Sequence, residues 1–295
     1  QPSSGEEEIE AWTKFTFPGR QGKYNDYQWN WKNFSGVDYD AREKDHAIFN
    51  FANKGWAPKV DDENGNFDYL MGCNLDMENP DTIEQLDKWG KWYQELTDVD
   101  GYRLDAVKHI RFDLFVDWLL HRREEKGEEL FVVGEYWSDE LDKLQEYLDS
   151  SGNLISLFDV PLHFNLFQAA STMGGFDMRQ VFAGTLIETR PDWAVTFVDN
   201  HDTQLGQSLE SWIEGWFKLH AYSLILLRNE GTPVVFWGDL YGTENAEAVG
   251  SGLTSLIKLR EELNFGNQAD YFDDPDVIGW TLTGDFDDSD SGAAI

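Results

Sequence analysis

From Pro80 onward the chain repeats one unit, a short apolar run closed by a polar or charged residue and followed by a segment of helical period. The runs are GYRLDAV (101–107), LFVVGEYW (130–137), LISLFDVPL (154–162), AVTFVDN (194–200) and TPVVFWGD (232–239). A helix is expected ahead of the first run, with Asn79 as N-cap and Pro80 at the first helical position. Ile83, Leu86, Trp89, Tyr93 and Leu96 follow at helical spacing. FDLFVDWLLHRREEKG reads as an amphipathic helix ending near Gly127. Further helices are expected at Glu140–Leu148, through Ala169, at Trp212–Arg228 and at Thr254–Leu263. Strand–helix units in succession imply a parallel sheet.

Each run places a carboxylate at or near its C-terminal end: Asp105, Glu135, Asp159, Asp199 and Asp239. That is where a TIM barrel carries its active face. The competing architecture is a doubly wound sheet, which the absence of a glycine-rich phosphate loop after the first run disfavours. Periodicity alone does not decide between them. Residues 1 to about 75 lack a clear period and are rich in aromatics, Gly, Asn and Asp, as in KYNDYQWNWKNF, so they read as a loop-rich region with short strands. The tail VIGWTLTGDF reads as a strand of a further element.

The chain has 295 residues, 41% of them hydrophobic, enough to bury a sizeable core. It carries 13 Trp, more than core filling asks for, and Trp offers a flat face to a ligand; for any single Trp the plainer reading is ordinary packing. The net charge of −33 argues against nucleic acid and anionic membranes as partners. It also suggests a salty native environment that would screen self-repulsion, the alternative being a solubility surface. Cys73 is the one cysteine, so no intrachain disulfide forms. No run of about 18 apolar residues is present to span a membrane. No leader is visible at Gln1, as in a processed or cut chain.

Cleavage of a glycosidic bond needs two carboxyl groups, one protonated and one ionised, about 5–5.5 Å apart in a retaining enzyme. Arg103 and Asp105 alternate on one strand, so both point to the same side, and the guanidinium keeps the carboxylate ionised and oriented, as a nucleophile requires. Glu135 lies between apolar residues and two aromatics in VVGEYW, where desolvation would raise its pKa and suit a general acid. Asp202, beside His201 in FVDNHDTQ, could stabilise positive charge in an oxocarbenium-like transition state. Taken singly, each has a plainer reading: a helix cap, a structural ion pair, a buried histidine. Their recurrence at one end of successive strand units favours a site.

GYRLDAVKHI, GEYW and FVDNHDTQ resemble sequence signatures of the alpha-amylase family of glycoside hydrolases. GNFDYLMGCNLDMENPD, FDVPLH and GQSLESWIEGWFKLHAYSLIL resemble the liquefying bacterial alpha-amylases more closely, and the likeness runs from about Ala11 to Ile295. The resemblance implies Asp105 as nucleophile, Glu135 as acid/base and Asp202 as transition-state stabiliser. It also implies Arg103 beside the nucleophile, His201 as a hydrogen-bond donor to the sugar, and Lys108 and His109 as leaving-group-side contacts. Trp137 and Phe67 would be aromatic platforms for glucose rings, with simple packing the alternative for Phe67.

The implied fold is a partial (β/α)8 TIM barrel, strands 4–8, with an irregular β-rich B-domain-like insertion at 1–75. The barrel portion would run over 76–272 and the start of a C-terminal β-domain over 273–295. The first three barrel strands have no counterpart, so open sheet edges are expected. Calcium is implied through oxygen ligands, with Asp68 as one carboxylate and the His109 backbone carbonyl as another donor. Asn74 stands where an aspartate is usual, Ser35 and Ala57 replace carboxylates of a linked metal cluster, and Asp76 and Glu78 remain. At most one weakened calcium site is therefore expected. The implied function is endo-hydrolysis of α-1,4-glucosidic bonds in starch or maltooligosaccharides with retention. The alternatives are a maltooligosaccharide-forming or transglycosylating member of the same family, or a catalytically silent glucan-binding fragment. A monomer is expected. Secretion follows from the size of starch, although some relatives are cytoplasmic.

Overall fold

The computed structural model describes residues 5–262, 266–285 and 291–295, so Leu263 and Phe286, the expected ends of a helix and of the last strand, lie outside the described residues. The chain forms two compact units, Gln1–Val132 and Val133–Ile295.

The first unit opens with a long irregular stretch and then a small antiparallel sheet of β1 (Phe34–Asp40), β2 (Asp45–Asn50) and β3 (Asn74–Leu75), in the order β2-β1-β3. Gly36 pairs with Asn50 on one side and Asn74 on the other. A Cβ at Gly36 would meet the Phe49 carbonyl at 2.6 Å and the Trp56 ring at 2.7 Å, so only glycine admits both neighbours.

Helix α1 (Pro80–Thr97) starts as its sequence dictates: Asn79 Oδ1 accepts from the Asp81 N–H at 2.9 Å and Pro80 needs no partner for a missing donor. It stops at Asp98, which takes the left-handed conformation. The stripe Ile83, Leu86, Trp89, Tyr93, Leu96 is not the buried face: Trp89 and Leu96 are exposed, and Thr82, Gln85, Gly90 and Gln94 are buried instead. The reason lies in α2 (Phe112–Lys126), which packs against α1. Gly90 leaves room for the Trp118 indole, whose Nε1 lies 2.5 Å from where a Cβ would stand. Arg122 of α2 is fully buried and needs acceptors, which it finds in the Asp87 carbonyl and carboxylate at 3.1 and 2.8 Å. Gln94 donates to the Arg122 carbonyl at 3.0 Å. Polar satisfaction thus outweighs the apolar period in setting the helix face. Gly127, at φ 73°, ends α2.

The sheet that places the site has the order β4-β5-β6-β7-β8. Its strands are β4 (Gly101–Leu104), β5 (Phe131–Gly134), β6 (Ser156–Phe158), β7 (Ala194–Phe197) and β8 (Thr232–Val234). Sequential order with a helical crossover after each strand is the winding of a (β/α) barrel, and it rules out the doubly wound alternative. Pairing is parallel, with Gly134 opposite Leu157, Phe158 opposite Val195 and Phe197 opposite Val234. Each strand occupies only three or four residues of its apolar run, and the polar residues follow in a loop, at the N-cap of the helix Val160–Ser171 (Asp159) or within the helix Trp237–Tyr241 (Asp239).

The crossovers of the second unit are α3 (Leu141–Ser150), α4 (Val160–Ser171) with the short α5 (Leu186–Thr189), and α6 (Gly215–Leu226). Helices α7 (Trp237–Tyr241) and α8 (Ser251–Glu262) follow β8. Leu144, Leu148, Leu157, Leu162, Leu166, Val195, Phe197 and Ile225 form the core of this unit. A separate antiparallel sheet, β9 (Gln268–Tyr271), β10 (Gly279–Leu282) and β11 (Ala293–Ala294), has the order β11-β10-β9. Trp280 anchors β10 through its indole N–H to the Leu227 carbonyl at 2.8 Å.

Candidate active site

In the first unit, Asp105 follows β4 directly. Its Oδ1 accepts from Arg103 Nη1 at 2.6 Å, while the side chain stays 72% exposed. Two residues apart on an extended strand, both side chains leave the same face, and the planar guanidinium orients the carboxylate. Ala106 then turns left-handed, φ 48°, into the one-turn segment that carries Lys108 and His109. His109 is buried. Because a carbonyl only accepts, its Nδ1 bears the proton and donates to the Phe67 carbonyl at 2.8 Å. Burial also lowers the His109 pKa, so the ring is neutral at pH 7. The Phe67 ring meets the His109 ring edge-on at 4.3 Å and lies 5.0 Å from the Lys108 ammonium. Lys108 also pairs with Glu63 at 3.0 Å. Phe67, Lys108 and His109 therefore form one cluster.

In the second unit, Glu135 follows β5 directly and is 7% exposed. Trp137, two residues on, rests against the rings of His163, Phe164 and Phe197 at 5.9–6.3 Å. Asp202 follows β7 in a tight turn. Its amide donates to Asn200 Oδ1 at 2.8 Å, its carbonyl accepts from Leu209, and its carboxylate lies 3.2 Å from His201 Nε2. The Asp202 side chain is 30% exposed, that of His201 60%.

The other strand-end carboxylates take different work. Asp159 caps α4: its oxygens accept from the amides of Leu162, Leu186 and Ile187 at 2.7–3.1 Å. Full burial raises its pKa to about 6 against those three bonds. Asp199 and Asp239 share the buried ammonium of Lys218, which reaches Asp199 at 2.9 Å and pairs with Asp239. Burial pushes the Asp199 carboxyl up to about 7. Lys218 escapes a reading of the sequence because a lysine inside a helix reads as a solvated residue. The apolar surroundings in GWFKLHAYSLIL are the one signal that it is buried.

Asp68 and Asn74 are brought together, but with each other: Asn74 Nδ2 donates to Asp68 Oδ2 at 2.9 Å and to Ser35 Oγ at 2.9 Å, and Ala57 N–H donates to the same carboxylate. Desolvation raises the Asp68 pKa to about 6. Among the described residues no group of three or more His, Cys, Asp or Glu is placed to hold a metal ion. One buried carboxylate and an amide that turns its NH2 inward fall short of the six to eight oxygens calcium takes, so the donor set does not fit the ion as arranged.

The family model "Alpha amylase, catalytic domain" matches residues 10–277. A parallel sheet in barrel order with carboxylates at its strand ends is the class of structure that family has, and the chain belongs to the alpha-amylase family. It is 47% identical to an alpha-amylase of Geobacillus stearothermophilus, over 100% of this chain and 54% of that protein. It is 45% identical to the cytoplasmic alpha-amylase of Escherichia coli (strain K12), over 94% of this chain and 59% of that protein. The chain thus spans little more than half the length of these relatives. The fold is similar to the crystal structure of the Geobacillus thermoleovorans alpha-amylase, with TM-score 0.59 and 22% identity, over 74% of this chain and 54% of that one.

Proposed function

We propose that this chain carries the catalytic groups of a retaining endo-acting enzyme on α-1,4-glucans, with starch or maltooligosaccharides as substrate. What supports the reading is that Glu135 is buried just after β5 and Asp202 pairs with His201 in the loop after β7, while in the first unit Asp105, just after β4, faces solvent and is held by Arg103. A desolvated carboxyl suits the proton donor, and a guanidinium-held carboxylate suits the nucleophile. Glu135 protonates the glycosidic oxygen as Asp105 Oδ attacks the anomeric carbon, which releases the leaving sugar and leaves a glycosyl ester. Glu135 then takes a proton from water, which displaces Asp105 and restores both groups. Asp202 stabilises the positive charge of both transition states, and His201 donates to the sugar. Trp137 is the aromatic platform for a glucose ring; the Phe67 ring is engaged by the Lys108 ammonium and the His109 imidazole.

The test is the anomeric configuration of the first product from maltoheptaose, followed by NMR, beside Glu135→Gln and Asp105→Asn. The expected product is the α-anomer, with kcat lowered about 10³-fold or more in each variant. A β-anomer first, or full activity in either variant, would sink the assignment. A second reading, a glucan-binding piece without turnover, is favoured by the five-stranded sheet, which by itself does not close a barrel of eight. Starch affinity with no reducing ends released would establish it.

For calcium the reading is one weak site at Asp68, with the His109 carbonyl and with Asn74 after its amide turns its oxygen inward. A Tm that rises by no more than a few degrees in millimolar calcium and returns with chelator would agree with it. The chain is read as a monomer acting outside the cell, since starch is too large to enter one. The cytoplasmic relative marks the alternative, and no helix among the described residues is long and apolar enough to cross a membrane. Salt adaptation is proposed from the net charge.

A further inference from the structure

The turn that holds Asp202 is fastened from behind. Asn200 Oδ1 accepts from the amides of both Asp202 and Thr203, at 2.8 and 2.9 Å. Thr203 Oγ1 accepts from the Asn200 amide at 3.0 Å and donates to Asp199 Oδ1 at 2.8 Å. The Asp202 and Thr203 carbonyls accept from Leu209 and Ser211, which ties the outgoing strand of the loop to the turn. The Thr203 hydroxyl links this network to Asp199, whose side chain is fully buried.

Asp199 is held in turn by a cation from the helix of the same crossover. Lys218, in α6, puts its ammonium 2.9 Å from Asp199 Oδ2 and against Asp239 Oδ1, which belongs to α7 beyond β8. Tyr222, one turn along α6, donates its hydroxyl to the second Asp239 oxygen at 2.5 Å. The Trp212 ring covers the ammonium, with its centroid 3.1 Å away. One ammonium therefore joins the loop after β7 to the helix after β8, inside a pocket closed by an aromatic face. An ion cluster so placed is a costly way to fill space: apolar side chains of the same volume would serve packing as well or better. What the ammonium adds is direction, because its donors fix where both carboxylates stand.

We propose that Lys218 is a positioning residue for Asp202: by holding Asp199 against Asp239, its ammonium sets the 199–203 turn and so aims the transition-state stabiliser. The inference rests on the role given to Asp202 above, and a readout that does not need activity separates the two. Lys218 touches neither substrate nor the Asp202 carboxylate in this arrangement; it acts through Asp199, Thr203 and Asn200.

The experiment is amide hydrogen exchange on the full chain for Asp199→Asn, Lys218→Met and Lys218→Arg, read at Asn200, Asp202 and Thr203 against the β7 amides. Should Lys218→Met alone fail to fold because it leaves two buried carboxylates without a cation, the neutral triple variant Lys218→Met/Asp199→Asn/Asp239→Asn takes its place. The expected result is exchange in the turn faster by about tenfold or more with β7 unchanged. Kinetics on maltoheptaose should show kcat down about 10- to 100-fold at near-constant KM, with Lys218→Arg recovering part of the loss. Turn protection unchanged in folded variants, or protection lost equally from the turn and β7, would overturn the proposal. Asp202→Asn is the control. If it keeps full activity, the role of Asp202 has failed, and the exchange data still judge whether Lys218 sets the turn.

Discussion

The five strand-end carboxylates show how far one residue's role depends on what surrounds it. Asp105 keeps a guanidinium and solvent, Glu135 is desolvated, Asp159 is a cap, and Asp199 and Asp239 share a lysine. His163 of α4 is fully buried and stacked on Phe197 at 5.1 Å. Its Nδ1–H donates to the Val198 carbonyl at 2.7 Å, and Nε2 faces Ser211 Oγ at 2.8 Å. Burial lowers its pKa to about 4, so the folded ring stays neutral where an unfolded one, near 6.5, takes a proton. The stability this contributes is complete above pH 6.5 and is lost as pH falls toward 4, reaching about 2 kcal/mol by pH 5. Asp159, raised to about 6, works the other way and stabilises the fold as pH falls through 6 toward 3.8. The two overlap, so the wild-type curve alone does not isolate His163. A comparison with His163→Phe does. The variant loses two hydrogen bonds and is weaker at pH 7, and its deficit in urea unfolding should shrink by about 2 kcal/mol at pH 5. An equal deficit at both values would show that the ring is protonated in the fold.

At the scale of elements, local signals placed helix starts and strand cores well, and two glycines show what else is needed. Gly101 opens β4, and a Cβ there would stand 2.3 Å from the Phe131 carbonyl of β5. A backbone oxygen within a sheet cannot step aside. Gly101→Ala should therefore cost about 2–3 kcal/mol in chemical unfolding. Gly127 has open space around it and a φ of 73°, so Gly127→Ala should cost only about 1 kcal/mol of backbone strain. If the two cost the same, the close approach of β4 and β5 is wrong. Asn79→Ala, which leaves the Asp81 amide without its acceptor, should cost about 1 kcal/mol. The buried face of α1 is not legible from its period, because Gly90 and Gln94 look neutral in a pattern of apolar residues. A buried Arg122 on α2 makes them the contact side.

For the whole molecule the governing quantity is a net charge of −33 on 295 residues. Repulsion of that size is long-ranged in dilute buffer and screened within about 3 Å at 1 M salt, so salt should stabilise the fold. Tm is expected to rise by several degrees between about 0.05 and 2 M NaCl. The buried Lys218 cluster is out of reach of that screening, so Lys218→Met should lower Tm by a similar amount at both concentrations. A flat Tm in the wild type would leave the acidic surface as a matter of solubility alone.

By itself the sequence determined the succession of barrel strands and helices, the helix ends at Asn79 and Gly127, and the alternation that makes a parallel sheet with carboxylates at its strand ends. Each of these depends on neighbours a few residues away, where propensity and period act. Its motifs also carried the likeness to the alpha-amylase family. The tertiary structure alone decided which carboxylates are solvated, capped or paired, which face of α1 is buried, and that Asp68 meets Asn74 in place of a ring of oxygens. Desolvation and ion pairing act through space: Lys218 and Asp239 lie 21 residues apart in sequence and in contact in the fold. No local pattern records that meeting, and it is the meeting that sets the charge and position of the groups.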